Sequence, residues 1–292
     1  MSACEPLPQT WRVNDLDVAG LSWGDPGASP VLALHGWLDN AASFRLLAPL
    51  LAEHHVVALD LTGHGRSDWR CANATYQIWD DLPEILGVVE ALGWQDFSVV
   101  GHSRGAIISA LLAATVPERV RRLVLLDAVM PEPVEEAAFP DQLCRFLEDK
   151  SRLQGRRHRV YGTQEEAAAS RRERGLSDAA AQLLAERNLR PCDGGVTWTT
   201  DPRLHGASAV KLTAGQIQAV LSRLAMPTLL LLAEEGFGRR HEVVGLARRH
   251  VPDLEVATVA GSHHFHMESG VTGVAATLRR FLQGSRKLDR MQ

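Results

Sequence analysis

The segment Gly101-His102-Ser103-Arg104-Gly105 is where the residue types and spacing most directly imply covalent chemistry. It fits G-x-S-x-G, with an apolar run (Phe97–Val100) before it and a helix-forming run (Ala106–Thr115) after it. A strand-to-helix turn this tight holds its serine in a strained conformation. The flanking glycines remove side chains that would collide with neighbouring backbone. Oγ then projects above the sheet at a helix N-terminus, where developing negative charge is favoured. The pentapeptide alone is a weak signal, but between this strand and this helix it is a strong one. A serine hydroxyl needs a base to become a nucleophile, and four histidines late in the chain compete for that role: His250, His263, His264 and His266.

Other groupings read more plainly. Gly63-x-Gly65 lacks the third glycine of a dinucleotide loop and has no P-loop lysine, so it is a turn. The cluster His263-His264-x-His266 has neither a cysteine nor an acidic partner at ligand spacing, so no metal site is expected and His264 and His266 read as loop-packing residues. The basic run Lys150, Arg152, Arg156, Arg157, Arg159 reads as a solvated face.

The elements that must position Ser103 are legible as apolar runs alternating with helical patterns, the signature of a mostly parallel sheet covered by helices. Strands are predicted at Arg12–Leu16, Val18–Trp23, Val31–Leu34, Val56–Leu59, Phe97–Val100, Leu123–Leu126, Thr228–Leu232 and Leu254–Val259. Helices are predicted at Ala42–Leu51, Tyr76–Leu92, Arg104–Thr115, His241–His250 and Val271–Leu282, with capping-box spacing at Thr213-x-x-Gln216. The rhythm fails between Pro131 and Val210. Helical pieces are expected there at Asp141–Leu153, Glu165–Arg174 and Ser177–Asn188, with irregular chain from Pro191 to His205. Residues 131–210 are therefore expected to form a helical cap inserted after strand 6, on a core made of residues 1–130 and 211–292. From Arg145 to Arg190 there are 11 Lys/Arg against 7 Asp/Glu, so the cap is basic and the body acidic.

With the pentapeptide, three further segments make the chain resemble the α/β-hydrolase superfamily over nearly its whole length. LALHGWLDN (Leu32–Asn40) resembles the oxyanion loop, DLTGHGRSD (Asp60–Asp68) the loop after the fourth strand, and GSHHFHME (Gly261–Glu268) the terminal histidine loop. HGWLDN followed by Ala41–Phe44 is most similar to the serine hydrolase-like, or Kraken-type, branch. The resemblance implies Ser103 as nucleophile and a base five residues before Glu268, which is His263. It implies an oxyanion hole from the backbone amides of Trp37 and Arg104, with His35, Gly36 and His102 lining the pocket. The acid departs from the common G-x-x-D pattern, because Gly236 stands in the aspartate position of Ala233-Glu234-Glu235-Gly236. Asp127, after the sixth strand, matches the position used by some branches, certain haloalkane dehalogenases among them. It is favoured, with Glu235 as the alternative. Trp37 reads equally as a pocket wall or as core. The Arg104 side chain is expected to pair with an acid such as Asp39 or Glu235 rather than with a substrate carboxylate.

Composition narrows the class. The chain has 292 residues, 45% hydrophobic and 23% charged, with a net charge of -4, which excludes disorder and gives no overall basic field for nucleic acid or anionic membrane. Four cysteines, Cys4, Cys71, Cys144 and Cys192, lie far apart without a CxxC pair. Together with an N-terminus lacking a signal-peptide pattern and no apolar run of spanning length, they point to a cytoplasmic protein with reduced thiols. The expectation is a cofactor-free serine hydrolase acting on small carboxylic esters. The alternatives are a slow or silent ligand-binding member of the fold, or a hydrolase of C–C bonds, thioesters or lactones, or a perhydrolase. A serine nucleophile argues against haloalkane dehalogenase and epoxide hydrolase chemistry, which the resemblance associates with aspartate.

Overall fold

A computed structural model describes residues 5–172, 175–237 and 242–284. Cys4 and the residues Arg174 and His241, at the ends of two expected helices, lie outside them. The strands β1 (Leu7–Val13), β2 (Leu16–Trp23), β3 (Ser29–Leu34), β4 (His54–Leu59), β5 (Phe97–His102), β6 (Val120–Leu126), β10 (Thr228–Glu235) and β11 (Leu254–Ser262) form one sheet. Its order is β1-β2-β4-β3-β5-β6-β10-β11. The pairs β1–β2 and β2–β4 are antiparallel and the others parallel.

The central strands are nearly continuous Val, Leu and Ala because both faces are covered. Successive side chains point to opposite faces. Thus Leu32 and Leu34 of β3 join a core with Ile85, Val88, Ile108, Leu112 and Ile217. These come from α1 (Leu82–Ala91), α2 (Arg104–Thr115) and α6 (Ala214–Ser222). Val31 and Ala33 join a second core with Phe44, Leu47 and, from α8 (Val271–Gln283), Val274 and Leu278. Helix α7 (Glu242–His250) closes the first core through Val243 and Leu246. No helix of the described residues is long and apolar enough to cross a membrane.

Several elements differ from expectation for local reasons. Strand β1 covers Leu7–Val13 rather than Arg12–Leu16, because Asn14 and Asp15 take φ of 48° and 62° and turn the chain into β2. The segment expected as a helix over Ala42–Leu51 is two short 3₁₀ turns, Ala41–Phe44 and Ala48–Leu50; Pro49 suits the first turn of the second but not the interior of one continuous helix. The helix expected from Tyr76 begins only at Leu82. Asp80 accepts from the Gln77 amide and the Thr75 hydroxyl, holding that stretch in a turn.

Between β6 and β10 lie α3 (Phe139–Leu153), α4 (Gln164–Arg172) and α5 (Asp178–Asn188), close to the expected pieces. The stretch expected to be irregular instead contributes to a small antiparallel sheet. There β8 (Leu189–Cys192) and β9 (Gly195–Trp198) form a hairpin about Asp193-Gly194, and β7 (Val160–Tyr161) pairs with β9. The insertion is therefore mixed rather than purely helical.

Helix α5 fastens this insertion to the body. Its Arg187 Nε donates to both oxygens of Asp60 at 3.0 and 2.9 Å, and Nη2 donates to the Gly20 carbonyl. Asp60 is fully buried and Arg187 nearly so. Removing one member of such a pair leaves an uncompensated buried charge, so Arg187→Ala should destabilise the fold by about 3–5 kcal/mol. Chemical denaturation of the variant tests this. A loss below about 1 kcal/mol, the level of an exposed pair, would show that Asp60 does not depend on Arg187.

Candidate active site

Ser103 sits where β5 passes into α2, with φ of 52° and ψ of -117°, a conformation costly for any residue but glycine. The surroundings impose it. A Cβ on Gly105 would lie 2.1 Å from the Leu34 carbonyl oxygen, and one on Gly101 would lie 2.4 Å from that of Gly105. The Ser103 amide donates to the Leu126 carbonyl, fixing the turn against β6.

His263 follows β11, and its two ring nitrogens face two different groups. Nε2 lies 3.0 Å from Ser103 Oγ, and Nδ1 lies 2.7 Å from Asp127 Oδ2. A carboxylate only accepts, so Nδ1 carries the proton and Nε2 presents its lone pair to the serine hydroxyl. Asp127 is buried at the end of β6 with φ of 53°. Its Oδ1 accepts from the Ala233 amide and its Oδ2 from the Phe237 amide, both at 3.0 Å, so the carboxylate is held from three sides. The Phe237 ring lies 4.8 Å from that of His263. The structure thus brings Ser103, His263 and Asp127 into one hydrogen-bonded row. Glu235 is exposed at the end of β10 and is not part of it.

The glycine at 236 acquires a steric reason. A Cβ there would lie 2.2 Å from Asp127 Oδ2. With the Asp127 carboxylate standing at the end of β6, the position after β10 has no room for a side chain.

The loop after β3 is pinned by two buried histidines. His35 Nδ1 donates to the Gly36 carbonyl, and Nε2 accepts from the Leu61 amide. His64 Nε2 accepts from the Leu38 amide at 3.3 Å, and Nδ1 donates to the Thr62 carbonyl. Burial lowers both histidines, His64 well below its ordinary value, which keeps the acceptor nitrogens unprotonated. His35, expected at the pocket wall, lies behind it as a strut, whereas Gly36 and His102 do line the cavity. Trp37 is exposed rather than core. The residue borders the cavity, its Nε1 donates to the Leu204 carbonyl at 2.9 Å, and its ring meets that of His205 edge-on at 5.3 Å.

Arg104 does not pair with Asp39 or Glu235. Its guanidinium donates to the carbonyls of Tyr76 and Gln77 and lies 3.5 Å from Asp81, because α2 directs it toward the start of α1. Asp39 instead faces His102 and His264, at 3.6 and 3.7 Å. The reading that the terminal histidines lack an acidic partner is corrected here: the carboxylate comes from the β3 loop, more than 200 residues away in sequence. Burial pulls His102 down to about 4. For His264, burial acts in the same direction but the Asp39 carboxylate outweighs it and raises the pKa.

Ser103, His263 and Asp127 open on a cavity of about 580 Å³ whose walls include Ile107, Val129, Met130, Leu176, Val243 and Val244. Those side chains favour an apolar occupant of modest size. The steric argument at position 236 is testable without a substrate. Gly236→Ala should displace the Asp127 carboxylate and slow fluorophosphonate labelling of Ser103 by about a hundredfold, the effect of a misplacement near one ångström. Labelling at the wild-type rate would mean that the space can be made.

Comparison with known proteins gives a consistent placement. A family model described as the alpha/beta hydrolase fold matches residues 29–270. A serine hydrolase-like protein of Danio rerio is 33% identical over 290 residues, covering 95% of this chain and 87% of that protein. One from Dictyostelium discoideum is 30% identical, covering 87% and 75%. Among solved structures, the hypothetical protein PA1622 from Pseudomonas aeruginosa PAO1 superposes with a TM-score of 0.89 at 39% identity, covering 96% of this chain and all of that one. The chain belongs to the alpha/beta hydrolase family, in its serine hydrolase-like branch.

Proposed function

We propose that this hydrolase is a serine esterase that works through an acyl-enzyme. The observation that carries the reading is the hydrogen-bonded row Ser103–His263–Asp127 opening on a largely apolar cavity. Ser103 Oγ attacks the ester carbonyl while His263 Nε2 takes its proton. The same nitrogen returns the proton to the departing alcohol. Water then enters, His263 deprotonates it, and the acid product leaves with Ser103 restored. Asp127 keeps the proton on Nδ1 and stabilises the imidazolium, and its three-sided support fits that task. The tetrahedral oxyanion is assigned to the backbone amides of Trp37 and Arg104. Arg104 begins α2, where the first amides of a helix have no partner within it. Each donor of this kind is worth about 3 kcal/mol in the transition state. The chemistry needs no cofactor.

The apolar wall suits the acyl portion of a small ester. Thioesters are a second reading. It is favoured by the likeness to the thioesterase domain from the curacin biosynthetic pathway, 26% identical with a TM-score of 0.82 over 94% of this chain.

Kinetics on ester and thioester panels of graded acyl length test the assignment. Ser103→Ala should abolish turnover, Asp127→Asn should lower kcat by about 10³–10⁴-fold, and Glu235→Gln should leave it within about twofold. Loss of activity in Glu235→Gln with retention in Asp127→Asn would reverse the choice of acid. A folded wild-type protein that neither turns over esters nor labels with a fluorophosphonate would be a ligand-binding member of the fold.

A further inference from the structure

Three side chains beside the proposed catalytic row are arranged in a way that hydrolysis does not require. Asp39 Oδ2, His102 Nδ1 and His264 Nε2 come from the loop after β3, the end of β5 and the loop after β11, and lie within 4.8 Å of one another. At 3.6 and 3.7 Å the contacts to Asp39 are too long for hydrogen bonds. Asp39 Oδ2 and His102 Nδ1 are both buried without a hydrogen-bond partner.

The tautomer of His102 sharpens the point. Its Nε2 lies 2.9 Å from the His263 carbonyl oxygen, which can only accept, so Nε2 carries the proton. For a neutral ring, Nδ1 then directs a lone pair at a carboxylate oxygen, two acceptors face to face in a dry place. Buried polar atoms left in that state are costly. The chain also keeps the intervening space clear: a Cβ on Gly36 would lie 2.8 Å from Asp39 Oδ2 and 2.9 Å from His102 Nδ1.

We propose that Asp39, His102 and His264 form a binding site for one divalent first-row transition ion of the Zn²⁺ type. Two imidazoles and one carboxylate are a donor set that such ions take, with a further position left for water. Ligand atoms sharing a tetrahedral ion at its normal bond lengths lie roughly 3.3–3.6 Å apart, close to the two separations from Asp39. Small rotation of His264, the least buried member, closes the third. Metal-bound histidines characteristically donate their other ring N–H to a carbonyl or carboxylate, as His102 does to His263. All three residues border the cavity that holds Ser103, so the open position faces its contents. An ion there would tie the loop bearing Trp37 to the loop bearing His263.

Titration calorimetry of the chelator-treated full chain with Zn²⁺, and visible absorption with Co²⁺ as a reporter, test the site. The expected result is one saturable ion per chain. Affinity should fall by at least about tenfold in Asp39→Asn and in His264→Gln, and be retained in His263→Gln and Ser103→Ala. Circular dichroism checks that each variant is folded, and His264→Gln, nearest the cavity, serves if Asp39→Asn is not. Absence of saturable binding in the wild type would overturn the proposal. So would affinity unchanged in both ligand variants, or binding lost in His263→Gln, which would place the ion on the catalytic row instead. Since Ser103→Ala has no part in ion binding, failure of the esterase reading and failure of this one are separately visible.

Discussion

A carboxylate in the interior must be satisfied from every side, and Asp60 organises its neighbourhood by that requirement. It takes the Arg187 guanidinium from the insertion, the Ala41 amide from the segment after β3, and the Arg66 amide from its own loop. Three chain segments far apart in sequence therefore converge on one buried charge. The loop bearing Trp37 runs directly into one of them at Ala41, so its C-terminal end is tied to Asp60. Desolvating an ion pair makes a poor source of net stability, but it strongly disfavours arrangements in which the partners are apart.

Strain at the site is held in the same way. Ser103 and Asp127 both take positive φ; β5 is buried throughout and β6 is buried from Leu123 to Leu126, the end that leads into Asp127. A sheet end that is over-determined by packing can hold a residue in a conformation that an isolated turn would abandon. The Asp127 carboxylate is in turn supported by one amide of β10, that of Ala233, and one of the chain leaving it, that of Phe237, so a carboxylate from one strand end is held by the neighbouring strand.

How much of this was legible follows from the range of the forces involved. Strand β5, helix α2 and the pentapeptide between them are local patterns, and the structure follows them residue for residue at Arg104–Thr115. That Asp127 rather than Glu235 faces His263 could not be read from spacing, because it depends on which carboxylate the parallel strands bring toward that ring. Gly236 was legible only as an absence, and its steric cause needs coordinates. The partner of Arg104 was misread because α2 aims the side chain at α1, a direction that depends on helix phase rather than on proximity in sequence. The convergence of Asp39 with His102 and His264 joins two loops and a strand end, and left no local trace. The β8–β9 hairpin, by contrast, had its signal in Asp193-Gly194 and was obscured by the helical composition around it.

Side-chain hydrogen bonds join the insertion to the β3 loop, among them Trp37 Nε1 to the Leu204 carbonyl, Asn40 Nδ2 to that of Leu184, and Asn188 Nδ2 to that of Leu38. An exchangeable lid would be expected to meet the body through side chains alone, free to drift as lineages diverge. Here backbone carbonyls on both sides of the boundary are accepting partners, so a replacement segment must reproduce a chain path and not merely a surface. Displacing the insertion would for that reason also disturb the loop that carries Trp37 and Asp39, so the cavity wall and the chain beside Ser103 are mechanically one unit.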